Sequence, residues 1–331
     1  MTPLERQKIN LQRWVVGLAV VLFVGKVAAY WLTQSVAILT DALESIVNVV
    51  AGLFGLYSLT LSAKPRDADH PYGHGKIEFI SAAVEGTLII VASGFILYES
   101  IHNLVVPRTL HQLDFGIALI AVTALLNFIM GSVCVRAGQK SNSLALIASG
   151  KHLISDTWST LGIIAGLVLI ALTGIQWIDS IVAIVFGVII FVTGYKILRS
   201  SLAGIMDESD RELLAKMVSR LNQHREENWI DLHNTRIIKF GSVLHLDAHL
   251  TVPWYLNVHE AHNEIDRLAG RVREEFGETL ELYVHSDGCL DFSCKICSKS
   301  GCPARQSPFE KRIEWTVQNI SQNQKHRVST P

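Results

Sequence analysis

Two residues able to bind a metal ion or carry a proton stand four apart in an otherwise apolar run: His152 and Asp156, in SGKHLISDTWSTLGIIAGLVLIAL. On a helix that spacing stacks both side chains on one face. A second apolar run holds TDALESIVN, where Glu44 and Asn48 are also four apart and Asp41 lies one turn earlier on the same face. A charge at the centre of a bilayer costs about 2.5 kcal/mol or more, so such residues usually serve function. Two helices that each present a polar pair can close a four-ligand tetrahedral site, and imidazole and carboxylate suit Zn²⁺ and related ions. Metal ligands bind deprotonated, so a metal ion and protons would compete for Glu44, His152 and Asp156. Asp41 is an accessory candidate, near the extracellular entrance, bonded to the backbone or touching the ion.

Three further clusters have metal-binding chemistry. The polar segment KPRDADHPYGHGK packs Asp67, Asp69, His70 and His74 into a short turn. The region after Met206 contains His233, His245, His249, His259, His262 and His285, and spacing alone does not say which of them converge. CLDFSCKICSKSGC carries Cys289, Cys294, Cys297 and Cys302. Such a tight group in a reducing compartment points to metal rather than a disulfide framework, either as a Cys₄ zinc site or as an iron–sulfur cluster. Cys134, in an apolar segment, reads as an inert buried thiol.

The elements that carry these residues follow from hydropathy. Hydrophobic residues make up 49% of the chain and charged ones 18%, below the roughly 25% of soluble domains. The excess ends near residue 200. Six runs are long enough to span a bilayer: about 13–33, 36–62, 79–104, 113–136, 144–173 and 176–199. Lys and Arg alternate between the connections. Arg6, Lys8 and Arg13 precede the first run; Lys64, Arg66 and Lys76 follow the second; Arg136, Lys140 and Lys151 follow the fourth; Lys196 and Arg199 end the sixth. The opposite loops hold one Arg between them. Positive charge favours the cytoplasm, so both termini are expected there, and the polar N-terminus reads as a tail and not as a cleaved signal.

After Met206 the pattern becomes helix, strand, strand, helix, strand, which predicts a ferredoxin-like α+β module. The expected division is a six-helix transport domain (1–205), a cytoplasmic metal-binding domain (206–290) and a Cys-containing polar tail (291–331), partly disordered after Arg305. A net charge of −1 gives nucleic acid no attraction. The chain has no GxxxxGK[ST] loop for ATP and no HExxH for a metalloprotease, so neither a nucleotide-driven pump nor an enzyme is expected.

ESIVN, HLISD, HPYGHGKIEF and the His-rich soluble region together resemble the cation diffusion facilitator family over about residues 10–290. The resemblance implies a homodimer in the bacterial inner membrane. It would export a divalent metal cation from the cytosol in exchange for protons, with Zn²⁺ first and Fe²⁺, Mn²⁺, Co²⁺ or Cd²⁺ as alternatives. A metal sensor without transport is the other class. The implied transport ligands are Glu44, Asn48, His152 and Asp156. Where the family commonly has Asp or His and then Asp, this chain has Glu44 and Asn48, giving one nitrogen and three oxygens. The resemblance also implies a loop site of Asp67, His70 and His74, and a regulatory site of Asp231, His249, His262, His285 and Asp287. Lys76 and Asp207 would pair at the dimer hinge. His233, His245 and His259 are left as surface residues.

Overall fold

A computed structural model describes residues 3–106, 113–140, 144–240, 243–277 and 280–328. The chain divides into two compact units, 1–205 and 206–331.

The first unit consists of six long helices: α1 (Pro3–Thr33), α2 (Val36–Ser62), α3 (Ile77–Val105), α4 (Leu113–Lys140), α5 (Leu144–Thr173) and α6 (Trp177–Ile205). Each contains a stretch long and apolar enough to cross a membrane. α1 and α6 run past the hydropathy-based ends, because hydropathy marks the bilayer and a helix can continue beyond it in water. Large apolar side chains face outward, among them Trp14, Val21, Phe95, Phe115 and Ile129, as a lipid-facing surface requires.

Small residues set how closely the helices pack. α4 lies along α5 and α3 along α6. A methyl group built on Gly150 would stand 2.7 Å from the Gly131 carbonyl oxygen, and one on Gly86 would stand 2.8 Å from the Leu198 nitrogen. Gly150 therefore lets α5 press against α4 just before His152. α2 and α5 approach only briefly, which leaves room for side chains to meet between them. The start of α2 is fixed from α6. Asp179 accepts hydrogen bonds from the Ser35 hydroxyl (2.5 Å) and from the Val36 N–H (2.6 Å), while Ser35 caps Ile38. A buried carboxylate here satisfies N–H groups that the first helical turn leaves unpaired.

The second unit has α7 (Arg211–Gln223), β1 (Asp231–Phe240), β2 (Val243–Val252), α8 (Val258–Phe276) and β3 (Leu280–Gly288). This is the expected α-β-β-α-β order. The sheet order is β1-β2-β3, with β1 and β2 antiparallel and β2 and β3 parallel across the α8 connection. Leu214, Met217, Leu221, Leu246, Leu250 and Leu268 form its core.

The expectation of partial disorder after Arg305 is corrected. Residues 306–328 pack on the domain, and a short α9 (Val317–Ile320) forms. Trp315 and Ile320 are buried in the same core. Asn222 donates to the Trp315 carbonyl (2.7 Å), and the Arg225 guanidinium lies 3.9 Å from the indole centroid. Two apolar anchors in a polar stretch create no periodicity, so nothing local reveals the packing.

Candidate metal centres

Between α2 and α5, three of the expected transport residues touch. Asn48 Nδ2 donates to Asp156 Oδ2 at 2.6 Å. His152 Nε2 stands 2.8 Å from Asn48 Oδ1, and donates to it when that nitrogen carries the proton. His152 Nδ1 is 3.8 Å from Asp156 Oδ1. Asp156 is buried, with 2% of its side chain exposed, whereas His152 retains 30%, so the cluster is open on the histidine side. Glu44 is half-buried one turn before Asn48, and its electrostatic neighbours are Asp156, Asp41, Lys26 and His152. Glu85 of α3 also acts on His152.

Asp41 is occupied differently from the expectation of an entrance or ion-touching group. It is fully buried and paired with Lys26 of α1 at 2.8 Å, while Thr160 donates to the same oxygen at 3.0 Å. Lys26 is itself buried, with 1% exposed. Sequence reasoning missed Lys26. The available signal was one lysine inside VVLFVGKVAAYW, a position where a lone cation needs a buried acid.

In the connection after α2, Asp67 Oδ1 is 3.1 Å from His70 Nδ1, and Asp67 Oδ2 is 3.3 Å from His74 Nε2. Each of the three residues offers one ligand atom, and these lie within 4.8 Å of one another. The turn from His70 to Gly73 returns the chain so that the His74 ring lies beside that of His70, tilted to it, with centroids 4.4 Å apart. Gly73 takes φ +92°, which costs a glycine little. The His70 backbone N–H holds the Asp67 carboxyl below its ordinary range. Asp69 is exposed and outside this cluster.

In the second unit, strand register decides which histidines converge. His233, His249 and His285 are aligned across β1, β2 and β3. Asp287 Oδ2 lies 3.3 Å from both His233 Nε2 and His249 Nδ1, and Asp287 Oδ1 lies 3.5 Å from His285 Nε2. His233, His249 and Asp287 form a group with ligand atoms within 4.8 Å. Burial holds His233 below its usual pKa, against the pull of Asp231 and Asp287, so its ring is suited to bind metal as neutral imidazole.

Three sequence expectations change here. His233 and His245 are buried, not surface residues, while His259 is exposed as expected. His262 is exposed on α8, 3.7 Å from Asp266, and is not part of the row. Asp231 is 3.5 Å from His233 Nδ1, but its carboxylate is held by the backbone N–H and ring of His326 from the chain's end. Burial alone would raise Asp231; the His326 contacts bring it below the ordinary value. Lys76 precedes α3, and Asp207 follows α6 with φ 57°.

The residues carrying these centres fall within matches to known proteins. Residues 14–206 match the cation efflux transmembrane domain, and residues 209–289 match the cation efflux protein cytoplasmic domain. An uncharacterized transporter of Synechocystis is 32% identical over 259 residues, covering 78% of this chain and 84% of the relative. The manganese efflux system protein MneP of Bacillus subtilis is 28% identical, covering 85% and 97%. The cation-efflux pump FieF of Pectobacterium atrosepticum is 29% identical, covering 82% and 89%.

Proposed function

The chain belongs to the cation diffusion facilitator family and is an integral membrane transporter of divalent metal cations, and on that footing we propose that it exports Zn²⁺ from the cytosol in exchange for protons. The supporting observation is the contact of Asn48, His152 and Asp156 between two membrane helices, with Glu44 one turn away. The atoms a metal would use are joined by proton-bearing contacts. When His152 Nε2 carries the proton it donates to Asn48, a metal bound through that nitrogen must displace the proton, and the Asn48 amide would turn its oxygen toward the ion. Departure of the metal lets protons return, which couples the two fluxes.

The substrate sits among one imidazole nitrogen, one amide oxygen and two carboxylates, whose two negative charges balance M²⁺. A neutral Asn48 in place of an acid, and a relative named for manganese efflux, favour Mn²⁺ as the second reading. Asp67, His70 and His74 would capture metal near the membrane surface. The His233, His249, His285 and Asp287 row would bind regulatory metal in the cytoplasmic domain and favour homodimerisation, with Lys76 and Asp207 pairing at the hinge. Both termini lie in the cytoplasm of a bacterial inner-membrane protein in this reading, following the distribution of Lys and Arg.

The test is metal uptake by purified protein in vesicles, with Zn²⁺, Mn²⁺, Fe²⁺, Co²⁺ and Cd²⁺ compared and internal pH followed. Zn²⁺ entry without opposing proton movement refutes antiport. Wild-type uptake by Asp156→Ala refutes the site.

A further inference from the structure

Independently of the transport site, we propose that Cys289, Cys294, Cys297 and Cys302 bind one Zn²⁺ ion as a structural Cys₄ centre. The four cysteines are spaced C-x₄-C-x₂-C-x₄-C, and none is in a disulfide. All four line one cavity of about 20 Å³. Cys294 and Cys297 are buried, Cys289 and Cys302 are half-buried, and Cys289 lies within electrostatic range of the other three.

The surrounding chain is shaped around that cavity. β3 ends at Gly288, and the Cys289 N–H donates to the Val252 carbonyl at 2.9 Å, fixing the first cysteine to β2. A 3₁₀ turn over Asp291–Lys295 carries Cys294 back. The Arg305 guanidinium then donates to the carbonyls of Cys294 (3.1 Å), Cys297 (3.1 Å) and Lys299 (2.5 Å), holding the loop closed. The Gln306 N–H points at Cys294 Sγ, 3.4 Å away.

Tetrahedral Zn²⁺ with Zn–S bonds of about 2.3 Å sets its sulfurs roughly 3.8 Å apart. The sulfurs are spread wider than the ligand atoms of the two histidine groups, which lie within 4.8 Å of one another. Binding therefore requires the four thiols to rotate inward about the cavity that they line. The opening C-x₄-C-x₂-C also occurs in plant-type iron–sulfur proteins, so spacing does not separate the two chemistries. The content of acid-labile sulfide separates them: a single zinc ion carries none, and it would sit in the small cavity that the four cysteines line. The ion would fasten the segment after Arg305, with Trp315 and His326, to the end of β3.

The experiment uses full-length protein in detergent, washed with chelator to strip weaker sites. Thiols are then blocked with a mercurial while released zinc is measured. One zinc per chain from the wild type, lost in Cys294→Ser/Cys297→Ser, is the expected result. Cobalt-exchanged wild type should show thiolate-to-cobalt charge-transfer absorption, a readout independent of how the variant folds. No thiol-released zinc in the wild type, the same release from the variant, iron with acid-labile sulfide, or disulfides found by mass spectrometry would each overturn the proposal.

Discussion

Replacing Lys26 with Met leaves Asp41 as a buried charge without its cation. At 2.8 Å the pair is worth about 6 kcal/mol of Coulomb energy at an effective dielectric of about 20. Most of that offsets the cost of taking both charges out of water, so the pair adds little net stability. Breaking it from one side is different, and costs about 3–5 kcal/mol because the remaining charge stays desolvated. Thr160 still donates to Asp41 and retains part of the compensation. Lys26→Met should therefore destabilise the first unit by about 3 kcal/mol or more. Asp41→Asn, which keeps the side-chain shape, leaves Lys26 equally stranded. The double variant Lys26→Met/Asp41→Asn removes both charges and should regain most of the loss. Reversible unfolding in mixed micelles, run as a double-mutant cycle, reads this directly. With about 3 kcal/mol lost in each single variant and about 1 kcal/mol in the double, a coupling of about 5 kcal/mol is expected, and single losses that add to within about 0.5 kcal/mol in the double variant would refute the reasoning.

Asn48→Asp replaces the donor that faces Asp156 at 2.6 Å with a third acid in the site; in the side-by-side vesicle assay the preference should move toward Zn²⁺ and away from Mn²⁺, with a steeper dependence on pH. Calorimetry of metal binding to the cytoplasmic sites should show His233→Ala weakening affinity roughly tenfold or more, about 1.4 kcal/mol, while His262→Ala changes it far less; equal effects would contradict the strand-register reading. Asp210 caps α7 and pairs with Lys239 at 2.6 Å; burial works against its charge, but those partners hold its pKa below the ordinary value. Its contribution is thus complete above the unfolded pKa of about 3.9 and is lost as pH falls through the lower folded value. Asp210→Ala should cost about 1 kcal/mol near neutrality, and hydrogen exchange in α7 should show the difference from wild type shrinking below about pH 4.

The six spans were legible because a bilayer demands long apolar runs whatever the tertiary arrangement. The pairs Glu44/Asn48 and His152/Asp156 were legible because helical spacing alone places residues four apart on one face. The α-β-β-α-β order followed from local periodicity in the same way. What the sequence did not determine depends on contacts between distant elements. Lys26 belongs with Asp41 only because α1 packs beside α2. Asp179 belongs to the start of α2 only because α6 returns there. His233 replaces His262 in the histidine row because strand register aligns it with His249, a choice that spacing along one strand cannot express. Trp315 and His326 close the cytoplasmic domain from nearly a hundred residues beyond their partners Asn222 and Asp231. Hydropathy and periodicity report what a segment does with its own neighbours; which charges compensate, which ligands converge and where Trp315 and His326 pack are settled only when segments meet.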